Sequence, residues 1–169
     1  TDWNAVKAAG YAFGSTRATV GDYYTDPTFD SYWHGMKTAG ILRMAYHVLT
    51  PDRPQSQINR FIDLVRTDWG ELPPVLELEL DREVDRKVIT DKTLYCLNAL
   101  EKACGRKPFV YTTANFITNH LLPTVNLGGY PLWVANYTTK PTPLLPSSWT
   151  NWIFWQYTEA GKIPGINGA

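Results

Sequence analysis

"PPVLELELD", residues 73–81, sets Glu77 and Glu79 one residue apart in a run of leucine and valine. A short apolar run after two prolines reads as a buried strand over residues 74–80. A carboxylate in such a strand is costly unless it is paired or used. Side chains two apart on a strand share a face, with Cα atoms roughly 6.5–7 Å apart. Val75, Glu77 and Glu79 therefore point one way, and Leu76, Leu78 and Leu80 the other. The leucine face suits a layer of helices, which leaves the glutamates facing a barrel interior or a cleft.

The flanking sequence alternates between helix and strand signals. Residues 2–9 read as a helix closed by Gly10, and 11–18 as a strand. The stretch 26–40 opens with an Asp26 cap and Pro27 at the first helical position, and stops at Gly40. A strand over 41–48 and a helix over 55–67 precede the glutamate strand. Thr90 is expected to cap a helix running to Cys104, with Gly105 as its stop. Strands follow over 109–113, 131–136 and 151–158, with a short helix over 114–122. Such alternation predicts an α/β fold built on a mainly parallel sheet. The proline-rich residues 138–148 read as an ordered loop, because a strong strand follows.

Composition narrows the possibilities further. The 169 residues suffice for one domain with a substantial core. Sixteen basic residues balance sixteen acidic ones, so no net field draws the chain to nucleic acid or an anionic membrane. No apolar run has the length of a membrane span, and the N-terminal residues lack a signal-peptide pattern. Cys96 and Cys104, eight residues apart on one helix, are too distant to bridge. No metal-ligand spacing is present, and no metal or other cofactor is expected. Nothing in the sequence sets the oligomeric state. Seven Trp and ten Tyr stand out, and they suit a cleft that stacks on flat ligand faces.

Parallel sheets collect chemistry at the carboxyl ends of their strands. Those ends here carry Arg17, His47, Glu79, Tyr111, Asn136 with Tyr137, and Gln156 with Tyr157. A strand also ends in a polar residue simply because it leaves the core, but here six do so in succession. Arg43 and His47 share a face of the strand before the glutamates and are expected beside them. A buried Glu–Arg ion pair would be the structural reading of this group, yet it needs only one carboxylate. Two carboxylates in an apolar site tend to separate their pKa values, one remaining protonated as an acid. Glycoside hydrolysis asks for that pair: a proton donor for the leaving oxygen and a carboxylate to support positive charge on the sugar. No nucleophile elbow, HExxH motif or glycine-rich phosphate loop points elsewhere.

The ordered motifs resemble the glycoside hydrolase family 25 lysozymes, the Chalaropsis-type muramidases. DWNAVKAAGYAFGSTRATVG (2–21) is similar to their first helix and second strand, and AGILRMAYHV (39–48) to the segment ending in Tyr-His. LPPVLELEL (72–80) resembles their Leu-Pro-Pro-Val-Leu-Asp-x-Glu strand. GRKPFVYTT (105–113), YPLWVANY (130–137) and WIFWQYTEAGKIPGING (152–168) follow in the right order. The resemblance spans nearly the whole chain. It implies a flattened, TIM-like (β/α) barrel with a short antiparallel portion near the C-terminus. It also implies cleavage of the β-1,4 bond between N-acetylmuramic acid and N-acetylglucosamine in peptidoglycan, by a single secreted or phage-associated domain. Glu79 takes the position of the family's catalytic acid, with Glu77 beside it. Tyr46, His47, Tyr111, Trp133, Asn136, Tyr137 and Gln156 are expected around the sugar.

Departures from the family pattern carry their own expectations. Glu77 stands where the family has aspartate, and Val20-Gly21 where Glu-Gly or Gln-Gly is common. The family's opening Asp-x-Ser strand precedes the residue matched by Asp2, and its last acidic strand follows Gly-Ile-Asn-Gly. The barrel is therefore expected to be incomplete at both ends, with exposed sheet edges. A carbohydrate-binding relative without turnover, an interaction scaffold, and a chitinase-like glycosidase remain compatible with the same residues.

Overall fold

The computed structural model describes residues 1–80 and 84–166. Along the chain come α1 (Trp3–Ala8), β1 (Phe13–Val20), β2 (Tyr24–Thr25), α2 (Phe29–Thr38), β3 (Leu42–Val48) and α3 (Pro54–Val65). They are followed by β4 (Val75–Leu78), α4 (Arg86–Cys104), β5 (Phe109–Thr112), α5 (Ala114–His120), β6 (Leu132–Ala135) and β7 (Phe154–Gln156). The strands form one sheet in the order β2-β1-β3-β4-β5-β6-β7. Every neighbouring pair from β1 through β7 is parallel, and only the two-residue β2 runs antiparallel, against the end of β1.

That topology corrects one expectation. The antiparallel portion lies beside β1, whereas β6 and β7 near the C-terminus are parallel. The tight turn after β1 produces it: Gly21, at φ +52°, lets the chain fold straight back onto the strand's last residues.

Two apolar cores lie on opposite faces of the sheet. Between sheet and helices, Leu76 and Leu78 are fully buried with Ile58, Phe61, Leu97 and Leu100. Burying each such leucine contributes about 1.5–3 kcal/mol. On the other face a smaller cluster gathers Met44, Val75, Phe109, Tyr111 and Ala135. The sheet rolls around this second cluster. Phe13 of β1 and Phe154 of β7, from opposite ends of the strand order, bring their rings to 4.6 Å. No backbone ladder joins β1 to β7 among the described residues, so the roll is not a closed barrel.

Helix starts differ from the expected caps. Helix α4 begins four residues before Thr90, with Asp85 accepting from the amides of Lys87 and Val88. Buried Thr90 instead accepts from the amide of Leu122, tying α4 to the end of α5. Helix α2 begins at Phe29, past Pro27, because Asp26 turns its carboxylate on the amide and hydroxyl of Thr28 and on Arg17. The expected stop at Gly105 is present, in the left-handed conformation. Both cysteines are unbridged.

Candidate active site

Strand β4 is the middle strand of the seven, and its register fixes what surrounds the glutamates. Glu77 pairs with Tyr111 of β5, and Tyr111 in turn with Trp133 of β6, so these three form one row on the inner face. Val75 pairs with Tyr46 of β3, which places Tyr46 one step below. A cavity of about 160 Å³ opens inside the roll, with Glu77, Tyr46, Tyr111, Trp133 and Gln156 on its walls. The Tyr111 hydroxyl donates to Gln156 Oε1 at 2.6 Å, and its ring meets Trp133 edge-on at 5.2 Å. Glu79 lies just past the last ladder residue of β4. There it lines a second, wider lobe of about 420 Å³ with Asn136, Tyr137 and Leu144.

Electrostatics separates the two carboxyls. Burial pushes half-buried Glu77 up to about 7, with the charge of Glu79 adding to the rise and Arg17 opposing it. Glu79 is also raised, first by burial and then by Glu159. Tyr111 is raised as well, by burial and then by Glu79 and Glu77 in turn. A carboxyl with a pKa near neutrality beside a second one is the arrangement in which one holds a proton and the other carries charge.

Glu77, Tyr46, Tyr111, Trp133 and Gln156 thus share the inner cavity, and Glu79, Asn136 and Tyr137 the wider one, with the charge of Glu79 felt by both Glu77 and Tyr111. His47 is not among them. It points into the helix layer, fully buried, with Nδ1 at 2.7 Å from the Thr19 hydroxyl and Nε2 at 3.2 Å from Gln57 Oε1. Gln57 donates to the carbonyls of Thr50 and Asp52, so its oxygen accepts from the Thr50 amide and from His47 Nε2–H. Nδ1 is then the acceptor for Thr19. Burial holds this ring down at about 4, a neutral structural histidine.

Arg43 shares that outward face. Its guanidinium binds Asp68 and Glu71 and lies 4.5 Å from the Trp33 ring, away from the glutamates. The expectation that Arg43 and His47 neighbour the pair therefore fails. Tyr46 and Met44 hold the inner face of β3, and alternation turns the intervening residues outward.

Two cleft residues escaped sequence reading. Ser15 of β1 lines the inner cavity, and its buried hydroxyl has no hydrogen-bond partner. Only the roll, which brings β1 round to β7, puts it opposite Gln156. Glu159 lies three residues past Gln156 and acts on both Glu79 and Tyr137 through its charge. Its position in a loop beyond the last strand gave no periodic signal. Among the described residues no group of three or more His, Cys, Asp or Glu is placed to hold a metal ion, and no helix is long and apolar enough to cross a membrane. The end of the C-terminal motif, Asn167 and Gly168, lies outside the described residues, as does Asp81 after the glutamate strand.

Known proteins share this sequence and architecture. The model of the family described as Glycosyl hydrolases family 25 matches residues 1–166. The uncharacterised protein YegX of Escherichia coli K12 is 32% identical over 157 residues, which are 92% of this chain and 56% of YegX. Lysozyme M1 of Streptomyces globisporus is 30% identical over 187 residues, covering 99% of this chain and 60% of that one. The chain thus spans little more than half the length of these curated relatives. Among solved structures, a family GH25 lysozyme from Aspergillus fumigatus superposes with a TM-score of 0.86 at 26% identity, covering 99% of this chain and 88% of that one. The bacterial lysozyme of Streptomyces coelicolor gives 0.85 at 27% identity, over 99% and 82%. With residues 1–166 matched by the family model and its roll superposed on theirs, the chain belongs to glycosyl hydrolase family 25.

Proposed function

We propose that this chain is the catalytic domain of a peptidoglycan hydrolase that cuts the β-1,4 bond between N-acetylmuramic acid and N-acetylglucosamine. It would act on the bacterial cell wall as a secreted or phage-borne protein. The observation that carries this reading is the pair Glu77 and Glu79, one inside the roll and one at its mouth, with aromatic walls beside both. Relatives named lysozyme and N,O-diacetylmuramidase support it.

Glu79 faces the open lobe where a polymer can lie, so it gives its proton to the leaving oxygen. In the unliganded cleft burial and the charge of Glu79 keep the proton on Glu77. Glu79 becomes the donor once sugar covers the mouth, where the shared proton then sits on Glu79 and ionised Glu77 carries the charge that balances the sugar. Tyr111, donating to Gln156, ties β5 to β7 beside Glu77. Trp133 and Tyr137 offer ring faces to the sugar, while Tyr46 and Asn136 complete the polar lining.

Replacing Glu79 by glutamine keeps the shape and removes the transferable proton. The expected result is a loss of at least ~100-fold in clearing a suspension of bacterial walls, with sedimentation on insoluble peptidoglycan unchanged. Equal clearing by Glu79→Gln and the parent would refute the assignment. Binding without clearing in the parent itself would instead favour a carbohydrate-binding role.

A further inference from the structure

A groove of about 640 Å³ lies outside the roll, between α3 and the edge strand β2. One wall is a single stripe of α3. Arg53 at its cap, then Ser56, Arg60 and Asp63, recur at helical spacing, opposite the face that buries Ile58, Phe61 and Val65. The other wall is the turn from β1 into β2, with Asp22 and Thr25. Arg60 is fixed across the groove: Nε donates to the Asp22 carbonyl at 2.9 Å and Nη1 to the Thr25 hydroxyl at 3.2 Å. Its Nη2 group has no partner among the described residues and remains for a ligand. Arg53 reaches Asp22 only at 3.8 Å and is largely exposed, so most of its guanidinium is available too. Asp63 sets a carboxylate at the far end.

None of the lining residues is aromatic, so the groove is not a bed for sugar faces. Its two aspartates beside two arginines disfavour a uniform polyanion. The arrangement suits an extended ligand with carboxylates toward Arg53 and Arg60 and an ammonium toward Asp63. From residue 53 to residue 63 the stripe runs about 15 Å, the span of about four or five extended residues. As the edge of the sheet, β2 offers main-chain groups without a strand partner beside such a chain. The groove also opens at the glutamates' end of the sheet, because Asp22 follows the end of β1 and Arg53 the end of β3. The Leu49 amide donates to the Glu77 carbonyl at 3.0 Å, and the Gly21 amide to the Val48 carbonyl at 3.1 Å. Two strand spacings, roughly 10 Å, thus separate Glu77 from the turn, and side branches of a polymer held in the cleft come within reach. We propose that this groove binds the peptide branch of the wall polymer, with Arg53, Ser56 and Arg60 on its carboxylates and Asp63 on its ammonium. The wall as the source of the peptide rests on the hydrolytic reading of the cleft, whereas the groove's fit to a zwitterionic peptide does not.

The probe is the soluble tetrapeptide L-alanyl-γ-D-glutamyl-meso-diaminopimelyl-D-alanine, followed by calorimetry and by backbone amide shifts. In the parent it should move amides within residues 22–25 and 55–64 and leave those of Glu79 and Tyr137 in place. The same peptide with its carboxylates amidated should bind about tenfold more weakly or worse. Arg53→Gln with Ser56→Ala alters two side chains that take no part in the core, and should weaken the tetrapeptide by about tenfold. Asp63→Asn should weaken it too, yet leave unchanged the binding of a version with alanine at the diamino position. On walls, the parent should sediment more completely with intact peptidoglycan than with peptidoglycan stripped of its peptides by an amidase. The double variant should lose that difference. Shifts confined to the cleft, equal binding of the amidated peptide, or a double variant that binds like the parent would overturn the proposal. A parent that ignores the tetrapeptide, or sediments equally with stripped and intact walls, would overturn it as well. A parent that shows the peptide-dependent binding but clears no walls would sustain the groove while refuting hydrolysis. Clearing without peptide binding would do the reverse.

Discussion

Between pH 4.5 and about 7 the folded chain holds a proton on Glu77 that the unfolded chain has already released. The folded state therefore binds more protons over that window, and stability falls as pH rises through it. The whole shift corresponds to roughly 3 kcal/mol. Glu77→Gln removes the ionisation, so it should match the parent's stability near pH 4 and exceed it by up to about 3 kcal/mol at pH 8. Urea unfolding at a series of pH values reads this out; a constant difference across the series would mean that Glu77 is not held in an apolar site. At this scale alternation along residues 75–79 was enough to put both glutamates on the inner face, because the leucines between them declare the other side. The same rule failed for Arg43 and His47. Their polarity suggested the cleft, but each finds its partners in the outer layer: Asp68 and Glu71 for one, Thr19 and Gln57 for the other. Those partners are distant in sequence, so no local pattern announces them.

Elements were legible where period and punctuation agreed. Glycines marked the ends of α2 and α4, and the helical spacing of Ile58, Phe61, Ile62 and Val65 marked α3. The start of α4 was misplaced because Asp85 and Thr90 are both good caps, and only the fold decides which side chain faces its own helix. The two threonine and aspartate roles separate experimentally. Asp85→Ala should cost about 1 kcal/mol as a lost cap, lowering the melting temperature by about 2–4 °C. Thr90→Val, which strands the amide of Leu122, should cost about 1–3 kcal/mol. Thermal melts of the two variants check both, and a Thr90→Val protein as stable as the parent would remove the α4–α5 tie. Strand β2 had no chance of being read, since two residues cannot show a period.

On the scale of the whole molecule, the parallel sheet followed from strand–helix alternation, whereas the roll is set by contacts between chain segments some 140 residues apart. Phe154 is its keystone, touching Phe13, Phe109 and Trp133 with ring centroids 4.6, 5.1 and 6.0 Å away. Phe154→Ala should destabilise the fold by about 3 kcal/mol and shift Trp133 fluorescence to the red as water enters the roll. An unshifted emission would show that the inner cluster stands without it.

Because rings and not a backbone ladder hold β7 against β1, the molecule is stiff along its spine and compliant along one rim. Glu77 rides on the spine, clamped by strands on both sides, with Glu79 just past the strand's end, while Gln156 rides on the rim. The gap across the inner cavity can then widen by sliding aromatic rings, with no β1–β7 ladder to break and only the bond from the Asp2 amide to the Gly165 carbonyl joining the flanking segments, much as a spring clip opens at its lips and not at its bend. Amide exchange would record this as a gradient, slowest at Leu76 and Leu78 and fastest along β7. A polymer too thick for the resting cavity could be admitted by flexing that rim, with the acid chemistry left undisturbed.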